Sequence, residues 1–254
     1  MEFNDDQLYE IEEAEEMGED TTLWAKPEFD VYQMRVIRRA VAGGLNIKDY
    51  AKPEFNFSQL LKISGGLRRG LDVSKYAKPE FNHHQMSEIM EGMIDGLNVE
   101  NFAKPDIPYW EMRRMRARLY FGDELLKYYD EGFNWDQLEE IKLGIEAGID
   151  VSLYAIKDFD NWQMEILREA LIDNIDITSF AKPDACSDTM DIIARGFRNG
   201  YDYSEFIYAE YPCDRYDVIF YGLHHKLDIR ELLNPELTDD EFDELRIRME
   251  EQLC

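Results

Sequence analysis

Only three cysteines occur in 254 residues: Cys186, Cys213 and Cys254. That is too few for a disulfide scaffold, and an odd count fits a reducing cytoplasm. No apolar run reaches the ~18 residues that a bilayer-crossing helix needs. The opening residues Met1-Glu2-Phe3-Asn4-Asp5-Asp6 have no basic stretch and no apolar one, so no export signal is expected there. Positive charge is scarce: 28 Lys and Arg face 55 Asp and Glu, for a formal net charge of −27. Bulk attraction to nucleic acid or to an anionic membrane is excluded. Disorder is excluded too, because 44% of residues are hydrophobic and 13% aromatic.

Recognisable chemistry is missing as well. No HExxH, CxxC or EF-hand spacing occurs, and there is no glycine-rich phosphate loop. The four histidines form two adjacent pairs, His83-His84 and His224-His225. Neighbours on a helix diverge by ~100°, which makes a poor chelate. Cys186 and Cys213 fall near the N-termini of successive helices and could approach each other, but no histidine accompanies them. Acids are too numerous to single out a catalytic pair. No enzyme activity, catalytic residue, metal or cofactor is expected.

The dominant signal is a repeat. Phe3, Phe29, Phe55, Phe81, Ile107, Phe133, Phe159, Ala185, Tyr211 and Leu237 stand 26 apart without insertion. Counting each of these as position 1, position 2 is Asn or Asp in six units and position 5 is Gln in the same six, a capping box. Apolar residues at 6, 9 and 13 have helical spacing, and Gly at 16 ends the helix. Positions 3–15 therefore predict a helix of about thirteen residues. Asp at 18 predicts a short second helix running to the aromatic at 22, stopped by Pro at 25. Small residues at 12 (Ala14, Ala40, Gly66, Gly92, Gly144, Ala170, Gly196, Gly222) predict that a neighbouring backbone passes close by. The fold expected is all-α, an α-solenoid of about ten units. The fifth unit departs from the pattern, with Arg118 at position 12 and Tyr128-Tyr129-Asp130-Glu131-Gly132 replacing the usual Tyr-Ala-Lys-Pro-Glu. That predicts two sub-arrays, 1–129 and 130–254, the second closed by a capping helix at 237–254.

The phrase Tyr-Ala-Lys-Pro-Glu-Phe-(Asn/Asp)-x-x-Gln-Met, followed by Gly-Leu-Asp-Val, resembles short helical repeats of uncharacterised bacterial proteins, many on mobile elements. The resemblance covers nearly the whole chain. It implies an all-helical solenoid and brings no catalytic residues.

Charge is unevenly placed. Residues 1–28 carry a net −10, residues 29–129 a net +3 and residues 130–254 a net −20. In the last segment positions 4 and 7 carry Asp136/Glu139, Asp188/Asp191, Asp214/Asp217 and Asp240/Asp243, with Glu140 beside the first pair. Residues three apart share a helix face, where like charges repel. The helix dipole accounts for an acid at position 4 better than for one at position 7. Over half of a path of about 90 Å, twenty net charges fall roughly one per 2–2.5 Å, against one per ~1.7 Å in duplex DNA. The expectation is an acidic, non-enzymatic binding protein whose partner is a protein with a basic nucleic-acid-binding surface. Such a protein would be an inhibitor of the antirestriction or anti-CRISPR type. Direct contact with nucleic acid or membrane is not expected, and the oligomeric state stays open. The alternative is a general interaction scaffold. Its surface would be the arginines Arg35, Arg38, Arg39, Arg68, Arg69, Arg113, Arg114 and Arg116 with the aromatics Trp110, Trp135 and Trp162.

Overall fold

The computed structural model describes residues 2–251. Among these it is all helical, with no strand. Eleven helices follow in order: α1 (Asp5–Glu16), α2 (Val31–Ala42), α3 (Phe57–Arg68), α4 (His83–Ile94), α5 (Tyr109–Phe121), α6 (Asp123–Glu131), α7 (Trp135–Glu146), α8 (Asn161–Ile172), α9 (Ser187–Asn199), α10 (Cys213–His224) and α11 (Asp239–Glu251). All but α6 begin 26 residues apart.

The helix starts have a common cause. Asn4, Asp30, Asn56, Asn82, Asn134 and Asp160 each accept the position-5 glutamine N–H, and the glutamine oxygen accepts the cap N–H, at 2.7–3.0 Å. These are the reciprocal bonds of a capping box. Helix ends are set by position 16. Gly18, Gly44, Gly70, Gly96 and Gly148 take φ of 71–74°, a left-handed conformation that costs glycine little. Asn174 and Lys226 occupy the same position at φ 60° and 58°.

Two expectations are corrected. The second element is shorter than expected: it is a three-residue 3₁₀ helix at Val73–Lys75, Val99–Asn101, Val151–Leu153 and Ser204–Phe206, and a plain turn in most other units. Three residues between the capping Asp and the aromatic are too few to close an α-helical turn. Among the described residues a full second α-helix forms only as α6, in the unit where Tyr128-Tyr129-Asp130-Glu131-Gly132 replaces the usual phrase. Loss of the proline alone does not produce it, since Lys157 and Ala209 also stand at position 25 and follow 3₁₀ elements. The small residue at position 12 does not face a neighbouring backbone. At Gly66, Gly92, Gly144 and Gly196 it faces an aromatic ring of its own unit: a Cβ on Gly66 or Gly144 would overlap the hydroxyl of Tyr76 or Tyr154. Those hydroxyls donate to the carbonyls of Lys62 and Glu140 at 3.2 and 2.8 Å.

The position-5 glutamine also ties each unit to the next. Its side-chain N–H donates to the position-1 carbonyl 22 residues on: Gln33 to Phe55, Gln59 to Phe81, Gln85 to Ile107, Gln137 to Phe159 and Gln163 to Ala185, at 2.6–2.7 Å. In two units where the glutamine is replaced, another donor serves. Thr189 donates to the Ala209 carbonyl and Arg215 to the Leu237 carbonyl, both at 2.8 Å. Beneath these bonds positions 1, 6 and 9 are buried, as in Phe29, Met34 and Ile37 or Phe159, Met164 and Leu167.

The chain divides into two compact units, Met1–Gly122 and Asp123–Cys254. The division lies before α6, whereas the sequence placed it after Tyr129. Within the first unit α1 to α5 pack in chain order, and within the second so do α6 to α10. Met249 of α11 lies under Gly222 of α10. The expected capping helix is α11; its last residues, 252–254, lie outside the described residues.

Candidate functional site

Within each of the two compact units the helices pack in chain order, so equal positions of successive long helices lie side by side. Positions 4, 7 and 11 form one outward face. Between α8 and α9 this face sinks into an open groove of about 550 Å³, lined by Trp162, Glu165 and Glu169 on one wall and Asp188, Asp191 and Arg195 on the other.

Asp136, Asp188, Asp214, Asp217, Asp240 and Asp243 are exposed. Asp243 accepts from Arg246 at 3.1 Å, and the other five have no ion-pair partner among the described residues. Asp191 is half-buried and paired with Arg195 at 2.9 Å. Glu139 is half-buried; one oxygen meets Lys142 at 3.2 Å and the other is buried without a hydrogen-bond partner. Glu140 is committed internally, to Arg168 at 2.8 Å. Burial pushes Glu165 above the usual carboxylate range, and the nearby charges of Glu140, Glu169 and Asp191 push the same way against Arg168.

Four of the eight arginines expected to meet a partner are held in ion pairs within the chain. Glu10, at position 8 of α1, is clamped by Arg35 at 2.7 Å and Arg38 at 2.8 Å from α2. Arg38 also holds Glu13 and Glu19. Burial pushes Glu10 up, but hydrogen bonds and charge from Arg35 and Arg38 hold it below the ordinary value. The same clamp recurs three repeats later: Glu88 of α4 accepts from Arg113 at 2.9 Å and Arg116 at 3.2 Å, and Arg116 reaches Asp95 at 2.9 Å. Arg39, Arg68 and Arg69 are exposed, and Arg114 is half-buried. These ion pairs are separated by 25 and 28 residues. That constant offset is the signal by which the sequence could have revealed them.

Aromatics form a second feature, in the first unit. Tyr32 and Phe57 meet edge to face at 5.8 Å, and His84 stacks on Tyr109 at 4.9 Å. Tyr32 and Trp110 are 57% and 59% exposed. In the second unit Trp162 is 61% exposed and Trp135 half-buried.

No group of three or more His, Cys, Asp and Glu converges to hold a metal ion among the described residues. The rings of His83 and His84 lie 3.9 Å apart, and burial, then the charges of His84 and Lys62, holds His83 below the usual histidine range. The Cys213 side chain, and with it the expected approach to Cys186, lies outside the described residues. No helix among the described residues is long and apolar enough to cross a membrane. Comparison of the chain with protein-family models, with curated proteins and with solved structures gives no match.

Proposed function

We propose that the chain is a non-enzymatic acidic binding protein whose second unit occupies the basic, nucleic-acid-binding surface of a protein partner. It would thereby block that partner, as an antirestriction or anti-CRISPR inhibitor would. One observation carries this reading. Asp136, Asp188, Asp214, Asp217 and Asp240 stand exposed at repeated positions of α7, α9, α10 and α11 without internal counter-charge. Unpaired like charges on one face weaken the fold that carries them. A basic partner surface supplies what the chain withholds, and steers the encounter.

The test is titration against basic DNA- and RNA-processing enzymes at low ionic strength. Binding should weaken steeply with salt, compete with a duplex oligonucleotide, and disappear when Asp188, Asp191, Asp214 and Asp217 are all changed to Lys. No binding across such a panel, or binding indifferent to salt, overturns the reading.

A second reading has its own observation, the exposed Tyr32 and Trp110 with the Tyr32–Phe57 and His84–Tyr109 contacts. Exposed aromatics are common anchors in interfaces. A partner still captured by the fourfold lysine variant but lost on Tyr32→Ala with Trp110→Ala would favour a scaffold that grips through its first unit.

A further inference from the structure

The arginine clamps of the first unit show what the second unit lacks. Position 7 of α2 and of α5 is an arginine, Arg35 or Arg113, seated on the position-8 glutamate of the helix before. At position 7 of α8 stands Glu165 instead. Glu140, the equivalent position-8 acid of α7, therefore keeps one arginine, Arg168, where Glu10 and Glu88 have two. Twice in this fold the chemistry placed at that step is a guanidinium, and here it is replaced by a charge of opposite sign.

The surplus faces the groove between α8 and α9. Glu165, Glu169, Asp188 and Asp191 line it with Arg195 as the one cation, and Arg195 is committed to Asp191. Arg168 is committed to Glu140 at 2.8 Å. Counted together, Glu140, Glu165, Glu169, Asp188 and Asp191 set five negative charges against two positive ones. Trp162 is the one aromatic at position 4 in the second unit, where α7, α9, α10 and α11 have Asp, and it lies on the groove wall with its ring largely exposed. An indole face beside carboxylates is the environment a planar cation prefers, since it can stack on the ring while its edge N–H groups reach the acids.

We propose that this groove seats an arginine side chain of the protein partner, its guanidinium over Trp162 and donating to Glu165 and Asp188. The assignment rests on the reading that the acidic face meets a basic protein, and it names the residue that anchors the contact.

Isothermal titration of the full chain with an acetylated tetra-arginine amide, and with tetra-lysine of the same length, tests it. Trp162→Ala and, separately, Glu165→Arg should each weaken tetra-arginine binding about tenfold, and tetra-lysine should bind wild type more weakly than tetra-arginine. Asp240→Asn with Asp243→Asn, on α11, should change it less than about twofold. The thermal midpoint of Glu165→Arg should equal or exceed that of wild type, because the new arginine can join Glu140; this excludes misfolding as the cause of lost binding. Equal weakening by the α11 variant, or no weakening by Trp162→Ala and Glu165→Arg, overturns the assignment. Capture of a basic enzyme that survives Trp162→Ala but not the fourfold lysine variant overturns the arginine groove alone. Groove-specific peptide binding without capture of any nucleic-acid enzyme upholds the groove and removes the partner class.

Discussion

From α1 to α2, and again from α4 to α5, a glutamate is gripped by two arginines of the following helix; from α7 to α8 the corresponding glutamate has one arginine and an acid beside it. The same frame thus uses charge in two ways. Met1–Gly122 holds 22 acids and 16 bases, and Asp123–Cys254 holds 33 and 12. In the first unit opposite charges meet across helices and are partly withdrawn from water. In the second, acids of one sign are left outward. Charge in the first unit serves cohesion, and in the second much of it stays on the surface without an internal partner.

Several substitutions can break or sharpen this contrast. The largest effect belongs to Arg38→Ala, which leaves Glu10 nearly buried and reduced to a single partner, and should cost about 3–5 kcal/mol in urea unfolding. Arg168→Ala should cost less, because Glu140 keeps more access to water; a larger loss there would erase the distinction. Gly144→Ala should cost roughly 1–3 kcal/mol despite better helix propensity, since the added methyl overlaps the Tyr154 hydroxyl. Combining it with Tyr154→Phe should recover part of that loss, and Gly66→Ala should behave alike in the first unit, because this feature is common to both. Lys226→Gly should add about 1 kcal/mol by relieving a left-handed lysine, and Asn174→Gly less, as asparagine tolerates that conformation.

The smallest effect separates the units by pH. Glu165 is held above its unfolded value, so its ionisation weakens the fold at neutral pH and protonation removes the penalty. Glu165→Gln should therefore raise stability by roughly a few tenths of a kcal/mol at neutral pH and by nothing once the medium is acid enough to protonate both states. Glu10 is held below its unfolded value, so its contribution is present at neutral pH and lost as pH falls through the folded value. Thermal midpoints of Glu165→Gln and Glu10→Gln, measured from neutral to acid pH, should diverge in these opposite senses.

The helices could be read from the sequence because a capping Asn or Asp, a Gln three residues on and a terminal Gly are local instructions, enforced by bonds within one turn. The second helix of the unit could not, since a capping Asp looks the same before a helix and before a single 3₁₀ turn. Position 12 was read as contact between backbones, yet at Gly66, Gly92 and Gly144 its neighbour is the ring ten residues on; a missing side chain says that space is taken, not by what. The arginine rows misled in a similar way. Arg35, Arg38, Arg113 and Arg116 look outward by composition, and only the offsets to Glu10 and Glu88 reveal that they face the previous helix. The exposed aspartates were accessible to sequence reasoning because nothing at either offset could pair them. The groove at Trp162 was not, for it arises where one wall of α8 meets one wall of α9.

The side-chain amide that reaches 22 residues forward has a consequence for how such a chain can change. Every bond of this kind closes a loop of one fixed length, so neighbours along the chain are neighbours in space and distant segments owe each other little. Addition or loss of one whole 26-residue block would leave each remaining block with a partner of the right kind, whereas adding a single residue would unseat one amide and its cap together. Ordering can begin at any block and spread to the next, with a loop-closure cost that does not grow as the array lengthens.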